Sequence, residues 1–169
     1  PERAKPRARV LQVESLGDWF AALDRLEQGP RTYLLVTLLT GMRKNEVRGL
    51  RRCDLDLQAG VLRVPDTKNG RQHSLPISGV LNGLLAPLCA SVESTDQIFH
   101  GVSADHAAEM AQRVGAPKFM LHDLRKLLAT TGQKIGVSDA VMRRILNHTA
   151  PKTDVMHRHY VSLTASDVA

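Results

Sequence analysis

Residues 32–46 of this 169-residue chain read TYLLVTLLTGMRKNE. An apolar run that follows Pro30 and stops at Gly41 predicts a helix, because proline suits a first helical turn and glycine the residue after the last. Since the run is apolar around its whole circumference, we expect this helix to be buried in the middle of the domain. The polar residues after it predict a second, short helix that Asn45 caps and that ends near Leu50.

Helices are also predicted on both sides of this buried one. Ser15 can cap a helix to about residue 28 that carries apolar residues on one side: Leu16, Trp19, Phe20, Leu23 and Leu26. Later periodic segments predict helices at about 78–90, 103–114, 122–135 and 139–146, and Ser138 is the expected cap of the last of these. A final short helix or turn holds Tyr160.

The middle of the chain has the pattern of strands. Residues 61–65 (VLRVP) and 73–77 (HSLPI) predict two short strands. Asn69-Gly70 between them is a strong turn signal, because both residues tolerate positive φ. We therefore expect Lys68 to lie close to the tip of a β-hairpin.

Composition and length indicate one domain with a single core. The longest apolar run is far shorter than the roughly 20 residues of a membrane span, and no charged-then-apolar leader opens the chain. Cys53 and Cys89 form neither a metal-ligand spacing nor a disulfide framework, so a cytoplasmic location is the expectation. Pro1 and Pro6 among basic residues predict that 1–10 is an arm or linker and that the domain occupies 11–169.

The net charge of +6 is sorted along the chain. Basic residues concentrate in 41–52 and again in 122–160, whereas acidic residues gather in 14–27 and 93–109. Such sorting suits a protein with one face on a phosphate backbone and another in water. Ordinary solvated helix faces are the alternative explanation.

Two basic residues are candidates for binding a phosphate. Arg43 lies where the buried helix ends, although, taken alone, pairing with Glu46 three residues later on the surface is the more ordinary role for it. Lys68 lies near the expected hairpin tip, where an exposed lysine usually has no special role.

The remaining candidates lie in the second basic stretch. His122 and Arg125 are three residues apart and therefore on one face of a helix, and Asp123 can serve the N-terminus of that helix. His148 follows, and then Tyr160. Tyr33, the other tyrosine, lies in the apolar helix and cannot act in its place.

The order of these residues resembles that of the tyrosine recombinases, also called phage integrases, over roughly residues 11–162. Thr40-Gly41-x-Arg43-x-x-Glu46 is similar to the family's first arginine box. His122-Asp123-Leu124-Arg125 with Ala129-Thr130 resembles the second, and Leu146-Asn147-His148 the segment after it. The chain departs from the family at Lys126-Leu127-Leu128, and its 148–160 stretch is longer than in many members.

The resemblance implies a catalytic domain that is mainly α with a small antiparallel β-sheet. It also implies cleavage and rejoining of DNA by Tyr160 through a covalent 3′-phosphotyrosine, with neither metal nor nucleotide cofactor. An unperturbed phenol has a pKa near ~10, so clustered cations would have to favour the phenolate.

The other candidates then have distinct roles. Arg43 and Arg125 can each grip two phosphate oxygens in a fork. His122 is a base or a donor to the phosphate, and His148 is expected to hydrogen-bond the scissile phosphate. Lys68 is the general acid that the family assigns to the departing 5′ oxygen.

The implied partner is double-stranded DNA, held by a homotetramer with a separate N-terminal DNA-gripping domain outside this chain. The sequence does not specify accessory proteins. Three alternatives stay open: a type IB topoisomerase with the same chemistry, a DNA-binding module without catalysis, and a metal site built on histidines. His157 and His159 are two apart, which is wrong for one helix face, and no cysteine lies near them.

Overall fold

The computed structural model describes residues 11–64 and 73–148. Its α-helices are α1 (Leu16–Leu23), α2 (Gln28–Thr40), α3 (Lys44–Arg48), α4 (Gly79–Ala90), α5 (Ala104–Arg113), α6 (Leu121–Lys134) and α7 (Asp139–Ile145). Its strands are β1 (Leu55–Asp56), β2 (Val61–Val64) and β3 (His73–Pro76), and short 3-10 turns occupy Val13–Ser15 and Arg52–Asp54. The predicted fold class, mainly α with a small antiparallel sheet, is confirmed.

Helix α2 is the centre of the fold, as its sequence predicts. Nearly all of its residues from Thr32 to Thr40 are buried, with Leu39 the exception, and it packs against α3, α4, α5 and α6. It ends at Gly41, whose φ of 62° is left-handed. A Cβ at this position would lie 2.7 Å from the side chains of Leu128 and Leu146, so glycine here serves both the turn and the close approach of two other segments.

The sheet has the order β1-β2-β3 and is antiparallel throughout. Val64 pairs with His73 at one end of the β2–β3 ladder. Residues 65–72 connect the two strands and lie outside the described residues, so the Asn69-Gly70 turn and the position of Lys68 stay predictions. Strand β1 was not predicted, because two residues are too few to show an alternating pattern.

Of the four cap predictions, two succeed, one is right in position only and one is wrong. Ser15 occupies the N-cap position of α1, but its side chain makes no cap hydrogen bond. Ser138 accepts a hydrogen bond from the Val141 backbone N–H at 3.3 Å, as predicted for α7. Asp123 accepts one from the Met120 N–H at 2.9 Å at the start of α6. Asn45, however, lies inside α3. The free N–H before that helix is instead bound by a carboxylate three residues later, which is described with the site below.

The first helix is shorter than predicted. It ends at Leu23 rather than near residue 28, because α2 begins at Gln28 and a turn occupies the residues between them. Its apolar side is less uniform than expected, since Phe20 is 42% exposed. Trp19 is fully buried and packs edge-on against Phe119, with ring centroids 5.8 Å apart.

Candidate active site

Four of the six predicted site residues lie within the described part of the chain: Arg43, His122, Arg125 and His148. Lys68 and Tyr160 fall outside it, so their placement stays a prediction. Tyr33 is buried in α2, where its hydroxyl donates to the Lys44 carbonyl at 2.9 Å. Burial raises the pKa of Tyr33 to about 12, which makes it a poor nucleophile, as the sequence suggested.

Arg125 is the buried centre of the site. It extends from α6 and is 6% exposed, yet its guanidinium donates one hydrogen bond to the Gly41 carbonyl and another to the Leu146 carbonyl. These carbonyls follow α2 and α7, so one side chain joins three segments that are distant in sequence. Burial, and then the charge of Arg43, lower the pKa of Arg125 to about 10, and the group stays cationic at neutral pH.

Arg43 lies just after Gly41 and pairs with Glu46. Its Nη1 atom is 2.8 Å from Oε1 of Glu46, and its backbone N–H donates to Oε2 at 2.8 Å. The alternative that Arg43 pairs with Glu46 is therefore correct, but this pairing does not remove Arg43 from the site. The carboxylate is buried, whereas 31% of the arginine side chain is exposed, and a guanidinium has five N–H donors.

His148 is placed by the turn that closes α7. Asn147 has a left-handed φ of 48°, and its N–H donates to the Arg144 carbonyl at 3.2 Å. The His148 N–H donates to the Arg143 carbonyl at 2.9 Å, which completes a Schellman motif. The sequence signal for this turn is Asn147 itself, because asparagine tolerates the left-handed conformation better than any residue except glycine.

The site is strongly positive around His148. Burial lowers the pKa of His148, and the charges of Arg125, Arg43 and Arg143 lower it further. The imidazole is therefore neutral at neutral pH, and can donate one hydrogen bond and accept another. Arg43, Arg125 and His148 thus share one region, as predicted from the order of their motifs.

His122 lies in the first turn of α6, three residues before Arg125, and is exposed. Residues three apart on a helix project from the same side. The structure therefore places His122 at the solvent side of the helix face that carries Arg125.

His73, which the sequence did not indicate as a functional residue, belongs to the surroundings of the site. It is 2% exposed at the start of β3. Its Nε2 is 3.1 Å from the Ile145 carbonyl oxygen, and its Nδ1 is 2.9 Å from Nη1 of Arg144. Burial, and then the charge of Arg144, lower the pKa of His73 to about 4. Nothing in the alternation of a short strand distinguishes such a histidine from an ordinary core residue.

Within 11–64 and 73–148, no three or more His, Cys, Asp or Glu side chains group closely enough to hold a metal ion. His157 and His159, considered as ligands from the sequence, lie outside these ranges. No helix in the same ranges has the length and apolarity for a membrane crossing.

A sequence model described as the phage integrase family matches residues 9–166 of the chain. The chain belongs to the phage integrase family. The resemblance drawn from the arginine boxes is therefore confirmed, and the match covers the predicted domain almost completely.

The chain is similar in sequence to two integrases of this family. Prophage integrase IntF of Escherichia coli (strain K12) is 27% identical over 95% of this chain and 36% of its own length. Tyrosine recombinase XerA of Saccharolobus solfataricus is 28% identical over 92% of this chain and 55% of its own length. The chain thus spans between about a third and just over half of these proteins.

Solved structures of the family show the same fold. The integrase from mycobacterium phage Brujita superposes with a TM-score of 0.72 and 16% identity, over 99% of this chain and 59% of that one. A lambda integrase tetramer bound to a Holliday junction gives a TM-score of 0.68 and 18% identity, over 90% of this chain and 51% of that one. The mainly helical catalytic-domain fold with its small sheet is therefore shared.

The neutral, buried His73 makes the stability of this chain depend on pH. An unfolded histidine has a pKa of 6.5 and folded His73 one of about 4, so on acidification the unfolded state takes up the proton first. The stability that His73 contributes is complete above pH 6.5 and is lost as the pH falls through 4. We expect the Tm to fall between pH 7 and pH 5, and to fall less in His73→Leu.

His148, whose pKa is lowered in the same direction, is present in both proteins and cancels in this comparison. The check is thermal unfolding at a series of pH values, followed by circular dichroism. Equal falls in Tm for the two proteins would contradict the assignment of a neutral His73.

Proposed function

We propose that this chain is the catalytic domain of a site-specific DNA recombinase that cuts and rejoins DNA through a 3′-phosphotyrosyl intermediate on Tyr160. One observation carries the proposal: Arg125 binds the carbonyls of Gly41 and Leu146 and so holds Arg43 and His148 in one region. In this proposal, the three motifs recognised in the sequence contribute to a single positive site.

The charge of this region favours an anionic ligand. Two guanidinium groups lie close enough for Arg43 to lower the pKa of Arg125, and Glu46 is the acidic group that acts on Arg125 in the opposite direction. A phosphate diester placed between them would be bound by charge-assisted hydrogen bonds from both. The same donors would stabilise the extra negative charge of a pentacovalent phosphorus in the transition state.

The proposed cleavage is a single nucleophilic substitution at phosphorus. The Tyr160 phenolate attacks the scissile phosphate, a Tyr–O–P bond forms, and the bond from phosphorus to the 5′ oxygen breaks. The departing oxygen takes a proton from Lys68. Arg43, Arg125 and neutral His148 bind the non-bridging oxygens, and His122 acts as base or as a further donor.

Rejoining is the reverse of this step. A 5′ hydroxyl attacks the phosphotyrosine and the Tyr160 phenolate leaves. Because the ester bond conserves the free energy of the phosphodiester, the cycle needs neither ATP nor a metal ion.

We also propose double-stranded DNA as the partner and a homotetramer as the working assembly. Support comes from the fold shared with lambda integrase, which has been seen as a tetramer on a Holliday junction. The basic stretches 41–52 and 122–160 supply the charge that such a complex needs. Because the proposed substrate is DNA, we propose that the chain acts in the cytoplasm and is associated with the nucleoid when on DNA.

Tyr160→Phe tests the nucleophile. The probe is a pool of labelled duplexes of randomised sequence, each with a nick at one fixed position. A duplex whose cleavage site lies just 5′ of the nick loses a short 5′-hydroxyl product by diffusion, and the covalent adduct is trapped. We expect this chain to form a covalent adduct that survives denaturing electrophoresis, and the trapped DNA, once sequenced, gives the target. Tyr160→Phe should bind the target and form no adduct, because phenylalanine lacks the attacking oxygen.

Tyr33→Phe is the matched control. It removes a tyrosine hydroxyl that donates to a carbonyl inside the fold, and its adduct formation should persist. Adduct formation by Tyr160→Phe near the parental rate would overturn the proposed reaction.

Lys68→Ala tests the general acid. If Lys68 protonates the 5′ oxygen, its loss matters only while that oxygen is a poor leaving group. We expect Lys68→Ala to cleave ordinary DNA on the order of 10²-fold slower or worse, and to recover on a 5′-bridging phosphorothiolate, whose thiolate leaves without a proton.

The rates are measured in single turnover on the target found above, and Arg43→Ala is the control. Its defect should be similar on both substrates, because its role is to stabilise charge. Equal defects of Lys68→Ala on the two substrates would show that Lys68 only positions DNA, and His122 would become the next candidate for the acid.

A further inference from the structure

The hydrogen bonds of His73 determine its protonation state. The Ile145 carbonyl can only accept, so the hydrogen of the imidazole is on Nε2, 3.1 Å away. Nδ1 then has a lone pair and accepts from Nη1 of Arg144 at 2.9 Å. A second proton on the ring would abolish this bond and place two cations side by side in a buried position. His73 is therefore a neutral group with one fixed tautomer.

These bonds complete the end of α7. The last carbonyls of a helix have no partner within it, and the Schellman turn satisfies those of residues 143 and 144. The next two carbonyls, those of residues 145 and 146, accept hydrogen bonds from side chains of other elements. Ile145 binds His73 of β3, and Leu146 binds Arg125 of α6. His148 lies two residues beyond the second of these carbonyls.

We propose that His73 is a positioning residue for the DNA cleavage reaction and that it acts through His148. This inference rests on the function proposed above. The Schellman turn fixes residues 147 and 148 relative to α7. A helix end that is held to α6 at the Leu146 carbonyl alone can still pivot about that contact, whereas a second contact, from Ile145 to β3, restricts this motion. Arg125 and His73 together fix the direction in which the chain leaves α7, and hence the place of the His148 ring beside the arginines.

Arg144 strengthens the same contact from the helix side. Its side chain is partly buried against His73, and its Nε has no hydrogen-bond partner among the described residues. Burying the Arg144 guanidinium with one N–H donor unsatisfied costs free energy. The hydrogen bond from Nη1 to His73 offsets part of that cost. The pair thus ties the strand β3 to the helix that carries His148.

The test is a double-mutant cycle on single-turnover cleavage, with the nicked duplex that the adduct selection identifies. The four proteins are this chain, His73→Leu, His148→Ala and the double variant. We expect His73→Leu to slow cleavage by about 10-fold or more, as displacement of a reacting group by about 1 Å can do. In the His148→Ala background the same change should alter the rate by less than roughly 2-fold, because the group that it positions is gone.

A merely structural role gives a different result, since lost packing would slow cleavage equally in both backgrounds. Gln112→Leu is the matched control. Its amide also bridges two carbonyls, those of Ala108 and Phe119, but on α5, which contributes no residue to the site. Gln112→Leu should change the cleavage rate by the same factor in the parent chain and in His148→Ala.

Arg144→Met changes the more exposed partner of the same contact, and it replaces His73→Leu in the test if that variant does not fold. It removes the bond to Nδ1 and leaves the one to Ile145, so we expect a smaller loss that His148→Ala again suppresses. Equal losses in both backgrounds, or no loss in either variant, would overturn the inference.

Failure of the proposed function gives a separate result. If the parent chain forms no covalent adduct, the recombinase proposal itself is wrong. If the parent cleaves and His148→Ala cleaves equally fast, His148 has no role in cleavage, and the inference about His73 falls with it.

Discussion

The two hydrogen bonds from the Arg125 guanidinium to the carbonyls of Gly41 and Leu146 are the interaction on which this site depends. Removing a guanidinium from water is costly unless its N–H donors are satisfied. Here two backbone carbonyls accept hydrogen bonds from two of its nitrogen atoms. The backbone after α2 and the backbone after α7 therefore meet at one point. Glycine at 41 permits this meeting, since a Cβ would lie 2.7 Å from the side chains of Leu128 and Leu146.

The chemistry of the site follows from this packing. A cation that must stay buried attracts an anion, and Arg43, held by the buried carboxylate of Glu46, adds a second cation beside it. Burial, and then the same positive field, lower the pKa of His148 and favour its neutral imidazole. In the reaction that we propose, a phosphate would bind two charged donors and one neutral donor, an arrangement that suits stabilisation of the transition state.

The elements whose signals are local could be predicted from the sequence. The buried helix α2, its end at Gly41 and the Ser138 cap each depend on a few neighbouring residues. The Asn45 cap was wrong because Glu46 binds the free N–H before α3, and a carboxylate that reaches back three residues competes with the usual cap. The role of His73 was missed because its partners are more than 70 positions away in the chain. Lys68 and Tyr160 remain predictions from the sequence and the family.

Hydrogen exchange of Arg125→Lys tests most directly whether this arginine joins the segments. Lysine keeps the charge, but its single ammonium cannot replace a planar fork that spans two carbonyls. The reporters are the amides of Gly41, Asn147 and His148, which are hydrogen-bonded in this structure, with the amides of α5 as the internal reference. Our account predicts faster exchange at Gly41 and at Asn147 and His148 together, with α5 unchanged. Unchanged protection in either segment would contradict it.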